Sequence, residues 1–300
     1  MLSTDLLFAW SNWQPLEGCW RGSLILSKPG LYRIRRCGRS DLDYIGQTGS
    51  GTMTLRKRLG MLKGVYADVM PYRDPHTAAP ALWALRHHLN CMFEVSVLPL
   101  QGDTSWRKGL EALATSLYRQ QEGRSPNVNF GRILEGYSIS SSNNKRLVDA
   151  GKRFRGGLTN RTEANHLPSM PPVGSLVDDP RSLNWCGHQW SQWQPLSTVV
   201  QQLPADKYGL YRLQSAHQTG LVYIGQGLVK ARLNIHLKKA SKPPEKQDKQ
   251  GEVFTSAEPL ECSWVLNQDW HLHQRLELEN DLIASHLLVT EQVPAAQFMG

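Results

Sequence analysis

The sequence predicts an α+β fold built twice: a tandem, pseudo-two-fold pair of small domains, each a small, mostly antiparallel sheet flanked by helices. Two observations predict it. Short motifs recur in one order in both halves of the chain. Within each half, two short strands precede a basic helix, a third strand and a long helix, an order that packs helices onto a small sheet. Composition agrees. A chain of 300 residues can bury two cores. With 40% apolar and 20% charged residues, it is neither disordered nor collagen-like. Its five cysteines form no close pairs, which excludes a disulfide scaffold, disfavours a zinc site and suits a reducing cytoplasm. No stretch reaches the ~18 apolar residues of a membrane span. The start, MLSTDLLFAW, has an early Asp and no basic lead, so no signal peptide is expected. A net charge of +8 points to an anionic partner, nucleic acid first.

The repeated motifs place the elements. Trp10-Ser11-Asn12-Trp13-Gln14-Pro15-Leu16 recurs as Trp190-Ser191-Gln192-Trp193-Gln194-Pro195-Leu196. Gly30-Leu31-Tyr32-Arg33-Ile34 recurs as Gly209-Leu210-Tyr211-Arg212-Leu213, and Tyr44-Ile45-Gly46-Gln47 as Tyr223-Ile224-Gly225-Gln226. The spacing is far longer than a solenoid repeat, which means duplicated domains. Residues 30–35 and 42–46 read as a hairpin around a polar turn, as do 209–213 and 221–225. A Gly-bearing turn and a basic helix follow each, over 53–62 and 228–239. A second helix is expected over 79–89 in the first copy. Strands over 91–98 and 261–266 come next, then long helices over 106–121 and 269–288.

Two segments fall outside the repeat. Residues 131–185 carry Lys145, Arg146, Lys152, Arg153, Arg155 and Arg161, and read either as a connector that contacts phosphates or as a solvated one. The Lys-, Pro- and Gln-rich run at 238–250 reads as a mobile loop. The expected division is 1–135, a basic connector at 136–185, and 186–300. The Trp-Ser-x-Trp element admits a docking arm, a modified-base pocket, an interdomain seam or plain core packing. His87, His88, His271 and His273 lack partners at metal-ligand spacing and read as ordinary.

The ordered set of paired residues resembles the GIY-YIG nuclease family, present twice. The first copy shows Gly30-Leu31-Tyr32, Tyr44-Ile45-Gly46, Arg58, Glu111 and Asn129. The second shows Gly209-Leu210-Tyr211, Tyr223-Ile224-Gly225, Arg232, His236, Glu279 and Gln297. The copies depart from each other at two places: Leu62 stands where the second copy has His236, and Gln297 where the first has Asn129. Both sites active, or one catalytic and one structural, are both open.

The resemblance implies metal-dependent hydrolysis of phosphodiesters, with no covalent intermediate. Tyr32 and Tyr211 would orient or deprotonate water, and Tyr44 and Tyr223 would sit beside the scissile phosphate. Arg58 and Arg232 would hold its oxygens, because a guanidinium fork fits phosphate geometry. His236 could share the base role. Glu111 and Glu279 would each anchor one Mg²⁺ or Mn²⁺, since such an ion keeps most of its waters and needs few protein ligands. Asn129, Gln297, Gly46 and Gly225 would support the sites. Arg56, Lys57, Lys152, Arg153, Arg155, Lys230 and Lys238 are the candidate nucleic-acid contacts. Taken singly, a hairpin tyrosine is more often sheet packing, a helical arginine more often solvated. Recurrence within one chain is what raises these residues above that reading.

Two sites in one chain suit double-strand cleavage of DNA by a monomer or weak oligomer, in a restriction or phage-defence role in the cytoplasm. The alternatives are a non-catalytic or half-active DNA-binding protein of the same fold, or a structure-specific repair nuclease. A repair nuclease would be expected to carry a further DNA-binding tail, and a homing enzyme a long separate binding region; neither is seen. RNA stays open beside DNA.

Overall fold

The computed structural model describes residues 8–23, 25–49, 51–142, 144–160, 164–217 and 219–299. Arg161 and residues 1–7 lie outside them. The architecture is α+β, with two four-stranded antiparallel sheets of matching strand order. The chain divides into two compact units. One takes the residues up to Arg107 together with Leu117–Ser169; the other takes Lys108–Ser116 and the residues from Met170 onward.

In the first unit, β1 (Gln14–Pro15), β2 (Gly30–Arg36), β3 (Leu42–Gln47) and β4 (Phe93–Pro99) lie in the order β1-β4-β2-β3. Tyr32 faces Gly46 on one neighbour and Val97 on the other. Helix α1 (Leu55–Gly60) is shorter than its basic stretch suggests. Thr54 is its N-cap, accepting from the Lys57 amide at 3.3 Å, and a 3-10 turn follows at Lys63–Tyr66. Helix α2 (Ala79–Leu89) has the predicted bounds and buries Leu82, Trp83 and Leu85. Helix α3 (Thr104–Glu122) starts at the Asp103 cap and stops at Gly123, which is left-handed at φ 68°. The core joins Tyr32, Ile34, Leu59, Leu62, Leu82 and Val95.

The former connector is partly structured. β5 (Tyr137–Ser138) pairs with β6 (Gly157–Leu158), with α4 (Lys145–Asp149) between them. This hairpin belongs to the first unit.

In the second unit, β7 (Gln194–Pro195), β8 (Tyr208–Ser215), β9 (Leu221–Leu228) and β10 (Leu260–Leu266) repeat the order as β7-β10-β8-β9. Tyr211 faces Gly225 and Trp264, and a register shift follows Leu213 as it follows Ile34 in the first sheet. Helix α5 (Leu196–Gln202) follows β7 directly, α6 (Val229–Ala240) follows the hairpin, and α8 (Leu272–Thr290) closes the unit. The expected loop at 238–250 is a correction. The helix runs on to Ala240, and α7 (Lys249–Ser256) starts inside the same run. Asp248 caps α7 through the Gly251 amide at 2.8 Å, and Lys239 Nζ reaches Asp248 at 2.9 Å. Only one narrow face of α7, around Phe254, is buried, so its apolar signal is too thin to read in sequence.

The tryptophan element is part of the sheet. Its Gln-Pro pair is the edge strand beside β4 or β10. Ser11 makes three bonds to the third strand: its amide donates to the Val97 carbonyl at 2.9 Å, its Oγ accepts from the Val97 amide at 2.9 Å, and its carbonyl accepts from Ser96 Oγ at 2.7 Å. Ser191 does the same with Trp264 and Ser263. The tryptophans stack on an arginine of the central strand. Arg33 lies 4.8 Å from both Trp10 and Trp13, and Arg212 lies 4.3 Å from Trp190 and 4.5 Å from Trp193. Such stacking holds a cation on an aromatic face. It also explains why the Arg after each motif tyrosine recurs with the tryptophans. Burial drives the Arg212 guanidinium down to about 9, and its Nη2 donates to Ser263 at 3.2 Å.

Candidate active sites

Each central strand delivers its first motif tyrosine into the core, and the hairpin brings the second beside it. Tyr32 is fully buried and Tyr44 half-buried, with ring centroids 6.0 Å apart. Tyr211 and Tyr223 repeat this at 6.1 Å. The motif glycines make room for the hydroxyls. A Cβ on Gly46 would come within 2.8 Å of Tyr32 Oη, and one on Gly225 would collide with Tyr211 Oη. Gly30 and Gly209 serve the other side, where a Cβ would strike the carbonyls of Leu98 and Val265.

In the second unit, Tyr211 Oη lies 2.8 Å from His236 Nε2. His236 projects from α6 one turn past Arg232. Its ring sits 4.6 Å from Tyr223 and 4.9 Å from Phe254 of α7. Burial, with Lys239 and Arg232 nearby, holds the imidazole down to about 4, so it is neutral at physiological pH. Its Nδ1 is buried without a hydrogen-bond partner. The bond between Nε2 and Tyr211 is therefore the one hydrogen bond shown for the ring among the described residues. Burial raises the Tyr211 phenol well above its ordinary value, Tyr223 and Glu279 raise it further, and Arg232 opposes them. Tyr223 is raised by burial and by Glu279, again against Arg232. Glu279 on α8 is half-buried; desolvation pushes its carboxyl up to about 8 despite the pull of Arg232. Tyr211, Tyr223, Arg232, His236 and Glu279 therefore form one electrostatically coupled group.

The first unit reaches the same pair by another route. Leu62, at the position matching His236, is core. The histidine comes instead from His76, just before α2, with Nε2 2.6 Å from Tyr32 Oη. Its ring lies 6.0 Å from Tyr32 and 5.7 Å from Tyr44. His76 lies 44 residues from Tyr32, outside the motifs that the two copies share. The only hint was the missing histidine at Leu62. Burial and then Arg58 hold His76 well below the usual imidazole range. Arg58 Nη1 donates to the Pro75 carbonyl at 2.8 Å, which ties α1 to the residue before His76. A neighbouring amide fixes the tautomer of His76. The Ala78 amide donates to His76 Nδ1 at 3.2 Å. A neutral His76 thus carries its proton on Nε2 and donates to Tyr32.

Glu111 is half-buried on α3, in the stretch Lys108–Ser116 that groups with the second unit, while Tyr32, Tyr44, Arg58 and His76 lie in the first. The support residues sit behind the second tyrosines. Asn129 brackets Ile45, accepting from its amide at 3.0 Å and donating to its carbonyl at 2.9 Å. Gln297 accepts from the Ile224 amide at 3.1 Å.

The predicted phosphate contacts have varied settings. Arg56 spends two nitrogens on the Ile25 carbonyl, at 3.1 and 3.0 Å. Lys230 donates to the Gln201 carbonyl at 3.4 Å. Arg153 is half-buried, while Lys57, Lys152, Arg155 and Lys238 are exposed. None of the five cysteines is in a disulfide, and burial pushes Cys19, Cys186 and Cys262 up to about 12. Among the described residues, no helix is long and apolar enough to cross a membrane, and no group of three or more His, Cys, Asp or Glu could hold a metal ion. A cation in the second unit would have Glu279 as its carboxylate, with the two tyrosine hydroxyls near it. A hard ion that keeps its waters fits that donor set; a zinc site does not. No protein-family model, curated protein or solved structure matches the chain.

Proposed function

We propose that the chain is a metal-dependent endonuclease of GIY-YIG type that cuts double-stranded DNA, with one candidate site in each unit. One observation carries this reading. The two copies place a buried histidine on the same tyrosine hydroxyl from different chain positions, His236 on α6 and His76 ahead of α2. A shared fold does not require that; a shared task for the hydroxyl does. Arg232, exposed beside Glu279, would hold nonbridging phosphate oxygens. His236, neutral at physiological pH, would hold the Tyr211 hydroxyl by a hydrogen bond so that this hydroxyl orients the attacking water. In the first unit, Tyr32 keeps its own proton and would direct it outward, with Arg58 on the phosphate; Glu111 is the carboxylate that the resemblance assigns to this copy. Mg²⁺ or Mn²⁺ on Glu279 or Glu111 would supply charge neutralisation for the phosphate. A monomer or weak oligomer in the cytoplasm, with a restriction or phage-defence role, fits two sites in one chain. The amide bond to His76 Nδ1, which makes Tyr32 the acceptor from that imidazole, favours one further reading, a half-active protein in which only the second site cuts.

Mg²⁺-dependent cleavage of supercoiled DNA tests this. Glu111→Ala and Glu279→Ala should each accumulate nicked circles, and the double variant should be inactive. Linear product at the wild-type rate from either single variant contradicts one cut per strand. No cleavage by the wild-type chain on DNA contradicts the nuclease reading.

A further inference from the structure

A groove of about 400 Å³ opens in the first unit, lined among others by Lys57, Lys63, Tyr72, Asp74, Pro75 and Arg155. Three of these side chains are cationic and one is anionic. The cations come from separate parts of the chain: Lys57 from α1, Lys63 from the 3-10 turn, and Arg155 from the β5–β6 hairpin. The hairpin is seated there. The Arg73 amide donates to the Ser141 carbonyl at 3.3 Å, Ser140 Oγ donates to the Pro71 carbonyl, and Gly156 packs so closely that a Cβ would strike the Ser138 and Ser140 backbone and Met70. This leaves the Arg155 guanidinium 4.1 Å over the Tyr72 ring. One wall leads to the candidate site, because Pro75 accepts from Arg58 and is followed by His76.

We infer that this groove binds the sugar–phosphate backbone of the nucleic-acid strand next to the phosphate at the first site, with Lys63 and Arg155 each contacting a phosphate. The inference deepens the nuclease reading and rests on it. A net positive groove floored by an aromatic ring tracks a polyanion, and each phosphate contact releases counterions. The β5–β6 hairpin thereby becomes part of the binding surface of the first unit.

Fluorescence anisotropy of a labelled duplex, measured over a salt series in Ca²⁺, tests it with the full chain. For Lys63→Ala/Arg155→Ala the slope of log affinity against log salt should be shallower than wild type by roughly 1.8, about 0.9 per contact. Lys246→Ala/Lys249→Ala, exposed in the second unit, should keep the wild-type slope. Arg155→Lys preserves the charge and should recover most of the slope, which separates a lost contact from a misfolded hairpin. If the wild-type chain binds with a steep slope and Lys63→Ala/Arg155→Ala matches it, the groove inference is overturned while the nuclease reading stands. If the wild-type chain shows no salt-dependent binding, both are overturned.

Discussion

Glu279→Gln should stabilise the protein, by an amount set by pH. The folded carboxyl is pushed up to about 8 by burial, against an ordinary value of 4.5. A carboxyl raised on folding contributes nothing below its unfolded value. As pH rises through that value, the unfolded chain ionises while the folded one resists, so stability falls from near pH 4.5 and levels off above about 8. At pH 7 the loss is roughly 3 kcal/mol, about 2.5 pH units at 1.36 kcal/mol each. Glutamine keeps the shape and removes the ionisation. Thermal melts at pH 5 and pH 8 read the outcome. At ~2–4 °C per kcal/mol, the variant should melt several degrees above wild type at pH 8, with the gap closing at pH 5. Millimolar Mg²⁺ should raise wild type and leave the variant unmoved, because it stabilises only the ionised carboxylate. A variant that melts at or below wild type at pH 8, or a gap equal at both pH values, refutes the reasoning.

His76→Asn should slow strand cleavage at the first site about 10²-fold or more while the chain still melts cooperatively, giving nicked circles as Glu111→Ala does; linear product at the wild-type rate would count against the Tyr32–His76 pair. Asn129→Leu leaves both backbone groups of Ile45 without their partner and should cost about 2–3 kcal/mol in urea unfolding. Gln297→Leu leaves only the Ile224 amide unpaired and should cost about 1 kcal/mol, so equal losses for the two variants would refute the comparison.

Much of the fold was legible because its signals are local. Alternating strands around a polar turn specify the hairpin at Gly30–Gln47, and α2 has the predicted bounds because seven of its residues are buried in one run. Helix α7 was illegible for the opposite reason: three buried positions among lysines and glutamines carry little periodicity. Within the site, duplication made Tyr211, Tyr223, Arg232, His236 and Glu279 stand out, since each has a counterpart in the first half or in the resemblance. The groove was half legible, with Lys57 and Arg155 picked out as basic residues but nothing to show that they share a wall with Lys63 and Tyr72.

The sequence by itself determined that two related α+β units exist, and which tyrosines, glycines and arginines they share. Identical local patterns fold to identical local structure, so two hairpins with one register were implied by two copies of the motif. Tertiary structure alone decided what completes each unit. His76 meets Tyr32 because the segment ahead of α2 folds back onto the sheet, and Arg33 and Arg212 lie between tryptophans because an edge strand brings the N-terminal element of each unit alongside. Those contacts join positions far apart in the chain, and a sequence carries no distance between them until the core has formed.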